Sequence, residues 1–319
     1  MRVRDAVWIT GAQGFIGRHL VSALGAAGTA VVTFQRPSDD GRLDGEDDRV
    51  FPLSAAGLAA ALDRHGTPHR VYHLAGGPTV GASFGDPGVD FQSNVVTTQL
   101  LLEALRGQKV PLVLASSAAV YGEGHSGPIR AETETTPSSP YGTHKLLAEQ
   151  LVRAHSRFFD LPATILRLFA IYGTGLRKQW LFDACGRLAA SPPCTPLTLS
   201  GTGAERRDWL DAKDVAAAML GLEDPALGET RIYNLASGRA SPIREIAEYL
   251  VTAWGDRREI VFTNEVRSGD PFSLVAEASS LPPGFEPQIE IAQGISNFVS
   301  WFRTDRASSG MPGSAGPLA

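Results

Sequence analysis

The sequence predicts an α/β fold: a doubly wound parallel sheet, followed by a smaller mixed α/β lobe toward the C-terminus. Three observations carry that reading. Short apolar segments of strand length alternate with helical stretches through about Phe169, the pattern of a parallel sheet covered by helices on both faces. A glycine-rich turn joins the first of these strands to the first helix. Beyond Tyr172 the texture changes, with stretches rich in Pro, Ser, Thr and Gly.

Taken in order, residues 6–10 predict a first strand, 15–26 an amphipathic helix, 30–34 a second strand and 54–64 an alanine-rich helix. Residues 71–75 read as the next strand, 89–105 as a long helix, 111–116 as a strand, 139–159 as a helix and 163–169 as a further strand. In the later half the segment 189–203 precedes short helices at 214–222 and 243–252. The expected organisation is a sheet domain over 1–172, completed by a strand and a helix from the later chain, and a second lobe over 173–306. The tail 307–319 is Gly, Ser and Pro with almost nothing to bury, which predicts disorder.

With 319 residues, 43% of them hydrophobic, the chain can bury a substantial core. Its formal net charge of −5 provides no basic field for a nucleic-acid backbone, so no nucleic-acid partner is expected. Cys185 and Cys194 form neither a CxxC pair nor a metal-ligand series; free thiols in a reducing compartment are expected, and no metal. The charged start Met1 to Asp5 leads into an apolar run too short for a signal-peptide core, and no uninterrupted apolar stretch reaches membrane-spanning length. The expectation is a cytoplasmic globular enzyme with no membrane partner.

Gly11, Gly14 and Gly17 form a GxxGxxG turn, Gly11-Ala-Gln-Gly14-Phe15-Ile16-Gly17, between the predicted strand and helix. Glycine permits the tight turn and lets a pyrophosphate approach the main-chain amides, while the helix N-terminus adds partial positive charge. In that setting the motif predicts a dinucleotide-binding Rossmann fold, with Gly11, Gly14, Phe15, Ile16 and Gly17 against the cofactor. At the end of the second strand, where NAD-selective folds usually carry an acid, stand Gln35 and Arg36. An acid would repel the extra phosphate of NADP, whereas Arg36 can donate charge-assisted hydrogen bonds to it, so the local chemistry leans toward NADP with NAD still possible. A solvated arginine in the loop 36–45 is the alternative.

Tyr141 and Lys145 lie four residues apart on the helix predicted after Pro140, so phenol and ammonium point to one side of it. A phenol that exchanges protons near neutrality must be brought from its ordinary pKa of about 10 to about 7, a change worth about 4 kcal/mol, and a nearby cation favours the phenolate. Lys145, together with an oxidised nicotinamide, supplies such charge. Ser116 and Ser117 stand where the strand over 111–116 ends, at the edge where open α/β sheets place ligands.

Together, the glycine turn, these hydroxyls, Val120-Tyr121-Gly122 and Tyr141-Gly-Thr-His-Lys145 resemble the extended short-chain dehydrogenase/reductase family, especially its sugar-nucleotide epimerases and reductases. The resemblance covers nearly the whole chain. Val71-Tyr-His-Leu74-Ala75 looks like the family's fourth strand, with Leu74 and Ala75 against the cofactor, and Asn94-Val with Leu101-Leu-Glu-Ala104 looks like its following helix. Counted back four from Tyr121, the family's catalytic hydroxyl falls on Ser117, so the implied triad is Ser117, Tyr141 and Lys145. Tyr141 would exchange a proton with the sugar hydroxyl or ketone, Ser117 would hydrogen-bond the same oxygen, and Lys145 would orient the cofactor ribose. The family's 4,6-dehydratases carry an Asp-Glu pair where this chain has Ala118 and Ala119, so elimination of water is not expected.

Arg206-Arg207-Asp208-Trp209 and Arg267-Ser-Gly-Asp270 resemble segments whose arginines hold the substrate diphosphate, which implies that Arg207 and Arg267 bind a nucleotide-diphosphate sugar. Ala170 stands where many members place an Asn against the substrate, and the expected acid near the third strand is missing around 52–54. The segment 175–180 either lines the sugar site or begins a helix with exposed basic residues. The expected reaction is reduction of a 4-keto sugar nucleotide with NADPH; the alternative is a C4-epimerase with tightly held NAD. A dinucleotide-binding regulator without catalysis would have no need of Ser117, Tyr141 and Lys145. The resemblance also implies a homodimer through the helix bearing Tyr141, with Leu146, Leu147, Leu151 and Val152 either at that contact or in the core.

Overall fold

The computed structural model of the chain describes residues 6–36, 43, 47–77, 79–125, 127–265 and 272–309. In chain order its elements are β1 (Val7–Thr10), α1 (Phe15–Ala26), β2 (Val31–Gln35), β3 (Val50–Pro52), α2 (Ala55–His65), β4 (Arg70–His73), α3 (Val80–Gly85) and α4 (Pro87–Phe91). A π-helical segment, Gln92–Val96, joins α4 to α5 (Thr97–Leu105); β5 (Leu112–Ser117), a 3₁₀ turn (Ala118–Val120), α6 (Pro140–Phe159), β6 (Ala163–Leu168) and β7 (Ala170–Tyr172) follow. Then come α7 (Gln179–Ala190), β8 (Leu197–Leu199), β9 (Arg206–Arg207), β10 (Trp209–Asp211), α8 (Ala212–Leu220) and β11 (Thr230–Leu235). The chain continues through β12 (Ser241–Pro242), α9 (Ile243–Trp254), β13 (Ile260–Phe262), β14 (Ser273–Leu274) and α10 (Ile291–Ser309).

The chain forms two compact units: the first holds the residues through Gly122 with Ala131–Leu168 and Ala216–Leu235, the second Glu123–Arg130, Phe169–Val215 and the residues from Ala236 on. In the first, seven strands form one parallel sheet in the order β11-β6-β5-β4-β1-β2-β3. Helices cover both faces of such a sheet, so its strands are apolar throughout rather than alternating. All six residues of β6 are buried, and Trp8, Val32, Phe34, Val71, Leu112 and Ile165 belong to a single apolar core. Val152 of α6 lies in that core with Leu151 packed against it, while Leu146 and Leu147 are half-buried.

Strand order reverses between β1 and β4, which pair Thr10 with His73. The crevice outside the C-terminal ends of strands at such a reversal is where open α/β sheets bind ligands. Local chemistry places α6 beneath that edge: Ser139 accepts from the Gly142 amide at 3.1 Å and Pro140 opens the helix, so its first turn is fixed before any tertiary contact.

The second unit contains small sheets, β7 beside β10, β8 beside β13, and β9 between β12 and β14. Two differences from the sequence reading stand out. The single helix expected over 89–105 is α4 and α5 joined by the π-helical segment, because one extra residue enters the turn around Asn94. The strand expected from the later chain, which the sequence reading did not locate, is β11 beside β6. Helix α10 runs through Ser309, so the disorder expected from 307 does not begin there; the rest of the tail lies outside the described residues. Among the described residues no helix is long and apolar enough to cross a membrane.

Candidate active site

The glycine turn follows β1 and is packed against the end of β4. Gly11 has φ +73°, and a Cβ there would lie 2.7 Å from the Ala75 amide nitrogen and 2.8 Å from the Leu74 carbonyl carbon. A Cβ on Gly17 would lie 2.2 Å from the Gly11 carbonyl oxygen, so these two positions exclude every side chain. Gly14 caps α1 without any side-chain hydrogen bond, and the first turn carries no acid. The amides at that helix end are therefore open to an anion, and a pyrophosphate fits this cradle. Phe15 and Ile16 are half-buried in the same turn. At the end of β2, Gln35 is buried, while the exposed Arg36 donates from Nη2 to Ser93 Oγ at 3.0 Å.

A buried hydrogen-bond chain supports the turn from below. Thr10 Oγ1 accepts from the Ala75 amide at 3.2 Å and lies 2.6 Å from His73 Nδ1; His73 Nε2 lies 2.9 Å from Thr98 Oγ1, which donates to the Asn94 carbonyl at 2.5 Å. Because Thr98 gives its proton to Asn94, it accepts from Nε2–H, leaving Nδ1 to accept from Thr10. Only a neutral ring satisfies all four bonds. Burial and the nearby Lys145 charge push His73 down to about 3 from an ordinary 6.5. Below 6.5 the unfolded chain binds the proton and the folded chain refuses it, so His73's contribution is complete above that pH and lost as pH falls toward 3. His73→Gln is expected to flatten the pH dependence of the urea midpoint across that window; an unchanged slope would count against the neutral-ring chain.

Ser117 and Tyr141 come together at the end of β5. Ser117 Oγ accepts from the Ala119 amide at 3.2 Å and hydrogen-bonds the Tyr141 side chain. Lys145 Nζ lies 5.8 Å from the Tyr141 ring centroid and donates to the Ala115 carbonyl at 3.0 Å. The Tyr141 amide is held by Ser83 Oγ at 3.1 Å. Burial pushes the Tyr141 phenol up, Ser117 works in the opposite direction, and the Asp90 charge adds to the rise. The lowering expected from the Tyr–Lys spacing does not appear: burial and the Asp90 charge outweigh Ser117, and the protein's own groups keep the proton on the phenol. Burial also brings Lys145 down to about 8, against the raising charges of Asp90 and Glu149.

The neighbouring hydroxyl has a different environment. Ser116 Oγ donates to Glu149 Oε1 at 2.5 Å, and Arg167 grips the same carboxylate from Nε at 3.0 Å and Nη2 at 2.7 Å. Arg167 Nη1 also donates to Tyr121 Oη at 3.0 Å, and Tyr121 donates to Asn234 Oδ1 at 2.6 Å. Adjacent strand residues face opposite sides, so Ser116 enters this buried network while Ser117 turns to Tyr141.

In the second unit, Ala170, Trp180, Glu205, Arg207, Trp209 and Phe272 line part of a cavity of about 370 Å³. Ala170 in β7 pairs with Trp209 in β10, and the Trp180 and Trp209 rings lie 6.2 Å apart. Arg207 is half-buried and donates from Nη1 to the Arg206 carbonyl at 3.0 Å. Asp208 faces away into the structure, accepting from the Ser237 amide and hydroxyl at 2.6 Å each, Gly238 at 3.0 Å and Ala276 at 3.2 Å. Within the segment 175–180, Gln179 begins α7, and Gln179 and Trp180 also line the cavity. Arg267 lies outside the described residues.

A family model described as the NAD dependent epimerase/dehydratase family matches residues 7–236. The chain belongs to that family. It is 32% identical to a UDP-glucose 4-epimerase of Azospirillum brasilense, over 98% of this chain and 96% of that one. Among solved structures it resembles MoeE5 in complex with UDP-glucuronic acid and NAD, at 28% identity and a TM-score of 0.79, covering 94% of this chain and all of that one. It also resembles RMD from Pseudomonas aeruginosa complexed with NADPH, at 26% identity and a TM-score of 0.78, covering 94% and 99%.

Within this epimerase/dehydratase-family chain, the first unit thus brings Ser117, Tyr141 and Lys145 together, and sets Gly11 beside Leu74 and Ala75, with Gly14 and Gly17 closing the same turn. Ala170 and Arg207 share the second unit's cavity. Sequence reasoning missed the residues that brace these groups. Asn94 Oδ1 accepts from the Gly77 amide at 3.1 Å, and Asp90 Oδ2 sits 2.6 Å from His144 Nδ1. His144, placed between Tyr141 and Lys145, is the one signal in the sequence that could have prompted a search for an acid.

Proposed function

We propose that the chain is a nucleotide-sugar 4-epimerase that works with NAD. The observation that carries this reading is the Ser117–Tyr141 hydrogen bond beside Lys145, next to Ala118 and Ala119, which bring no acid or base for dehydration. The likeness to a UDP-glucose 4-epimerase along 98% of the chain favours epimerisation over one-way reduction of a 4-keto sugar. Bound in the glycine cradle, NAD would supply hydride acceptance and donation at the sugar carbon and the positive ring charge that the Tyr141 phenol lacks. Tyr141 takes the proton of the sugar hydroxyl and returns it after the sugar presents its other face. Ser117 hydrogen-bonds the same oxygen as charge develops there. Lys145 orients the cofactor ribose, and Arg207 and Arg267 hold the diphosphate of the substrate.

One observation favours a second reading, a reductase that uses NADPH: β2 ends in Gln35 and is followed by Arg36 instead of an acid, and Arg36 is exposed. Releasing and identifying the nucleotide carried by the purified protein separates the two. The epimerase is expected to retain NAD and to interconvert UDP-glucose and its C4 epimer with no added cofactor. An empty protein that consumes NADPH with a keto-sugar nucleotide would overturn that reading. Arg36→Ala is expected to weaken NADPH binding about tenfold or more and NADH binding little, since only NADPH presents a phosphate for a charge-assisted bond; titration of the emptied protein with both checks it. A homodimer through α6 rests on the family resemblance and is read from the mass in solution.

A further inference from the structure

Two carboxylates act on Lys145, and one of them is already committed. Glu149 takes both Arg167 bonds and the Ser116 hydroxyl, so its charge is matched by a guanidinium at 2.7 Å. Asp90 has no such partner. It is 2% exposed, its Oδ2 meets His144 Nδ1 at 2.6 Å, and its Oδ1 is buried without a hydrogen-bond partner among the described residues. His144 stands between Tyr141 and Lys145 in the first turns of α6, with the Phe91 ring edge-on to it at 5.4 Å.

The fit around these groups is close. A Cβ on Gly76 would lie 2.7 Å from Lys145 Nζ and 2.7 Å from Asn94 Oδ1; one on Gly77 would lie 1.9 Å from Asp90 Oδ1. The ammonium and the orphaned carboxylate oxygen therefore flank consecutive residues of one loop. Asn94 ties that loop to α4, accepting from the Gly77 amide and donating to the Asp90 carbonyl at 3.0 Å. The titratable groups acting on Lys145 are Asp90 from α4 and Glu149 from α6, with the Tyr141 ring beside it and the buried His73 of β4 sensing its charge. Asp90 in turn meets His144 and acts on Tyr141 and Lys145.

We propose that Asp90 is a positioning residue for the Tyr141–Lys145 face: its buried carboxylate, held by the His144 imidazole, supplies the negative charge that keeps the Lys145 ammonium protonated at its site. This rests on reading Tyr141 and Lys145 as the working pair. A buried ammonium loses charge easily, and a nearby unmatched carboxylate is what opposes that loss. His144 fixes the carboxylate in place by donating to it, where a residue without a donor would leave it free to turn away from Lys145. Gly77 is part of the device, since any side chain there would displace the carboxylate.

The test needs no substrate. The chain has four lysines, Lys109, Lys145, Lys178 and Lys213, so the ε-carbon signals of lysine-labelled protein can be titrated individually, with Lys145 assigned by its loss in Lys145→Met. Asp90→Asn is expected to lower the Lys145 midpoint by about one pH unit or more. His144→Phe should move it the same way, while His144→Gln, which keeps a donor toward Asp90, should stay near the parent. Circular dichroism establishes that each variant is folded; if Asp90→Asn is not, the contrast between His144→Phe and His144→Gln decides the matter. An unchanged Lys145 midpoint in folded Asp90→Asn, or equal midpoints in the two His144 variants, would overturn the proposal. A shift as expected in a protein that does not turn over UDP-glucose would support the pair and count against the proposed reaction instead.

Discussion

Tyr141→Phe is expected to lower turnover about 10²–10⁴-fold while leaving bound nucleotide and thermal unfolding near the parent's. The substitution removes one oxygen and leaves the ring, whose face lies 5.8 Å from Lys145 Nζ. The helix start does not depend on the phenol: it is set by Ser139, Pro140 and the bond from the Tyr141 amide to Ser83. What disappears is the group proposed to exchange a proton at the reacting oxygen, and its bond to Ser117. Ser117→Ala retains the phenol and should cost less. Near-parent turnover in Tyr141→Phe on a confirmed substrate would remove Tyr141 from the chemistry. Loss of the nucleotide in the same variant would instead make the phenol part of cofactor binding.

Much of the first unit was legible because its signals are local. Alternating apolar strands and helices, the glycine turn after β1 and the Ser139-Pro140 start of α6 each follow from short-range chemistry, and all lie where the sequence places them. The choice of Ser117 over Ser116 came from the family resemblance. Its physical reason is the alternation of β5 together with Glu149 waiting on the other side, a contact 33 residues away. Tertiary features stayed hidden. The π-helical turn at Gln92–Val96 was not read from the sequence, and the late strand expected to complete the sheet was not located because β11 is a six-residue strand that finds its place only by pairing with β6. The rise in the Tyr141 pKa was missed for the same reason: spacing reports that Lys145 is near, whereas burial is a property of the packed site.

Glu149→Leu is expected to cost about 3–5 kcal/mol of stability, the scale for removing one partner of a buried ion pair. Arg167 is 4% exposed and burial disfavours its charge, but the Glu149 bonds and charge outweigh that and hold it protonated. With leucine at 149 the guanidinium retains, among the described residues, Tyr121 and the Ala131 carbonyl, and Ser116 loses its acceptor. The network joins α6 to β5 and β6, whose last residues Ser117 and Leu168 are paired, so the loss falls directly beneath Ser117. Replacing both partners, Glu149→Leu with Arg167→Met, removes the stranded charge and should recover most of the loss, leaving the Tyr121 hydroxyl bonded to Asn234. Urea unfolding of the single and double variants measures the difference. A single variant as stable as the double would show that the charge pair does not stabilise this strand end, and that the Ser117 side of β5 is held by apolar packing alone.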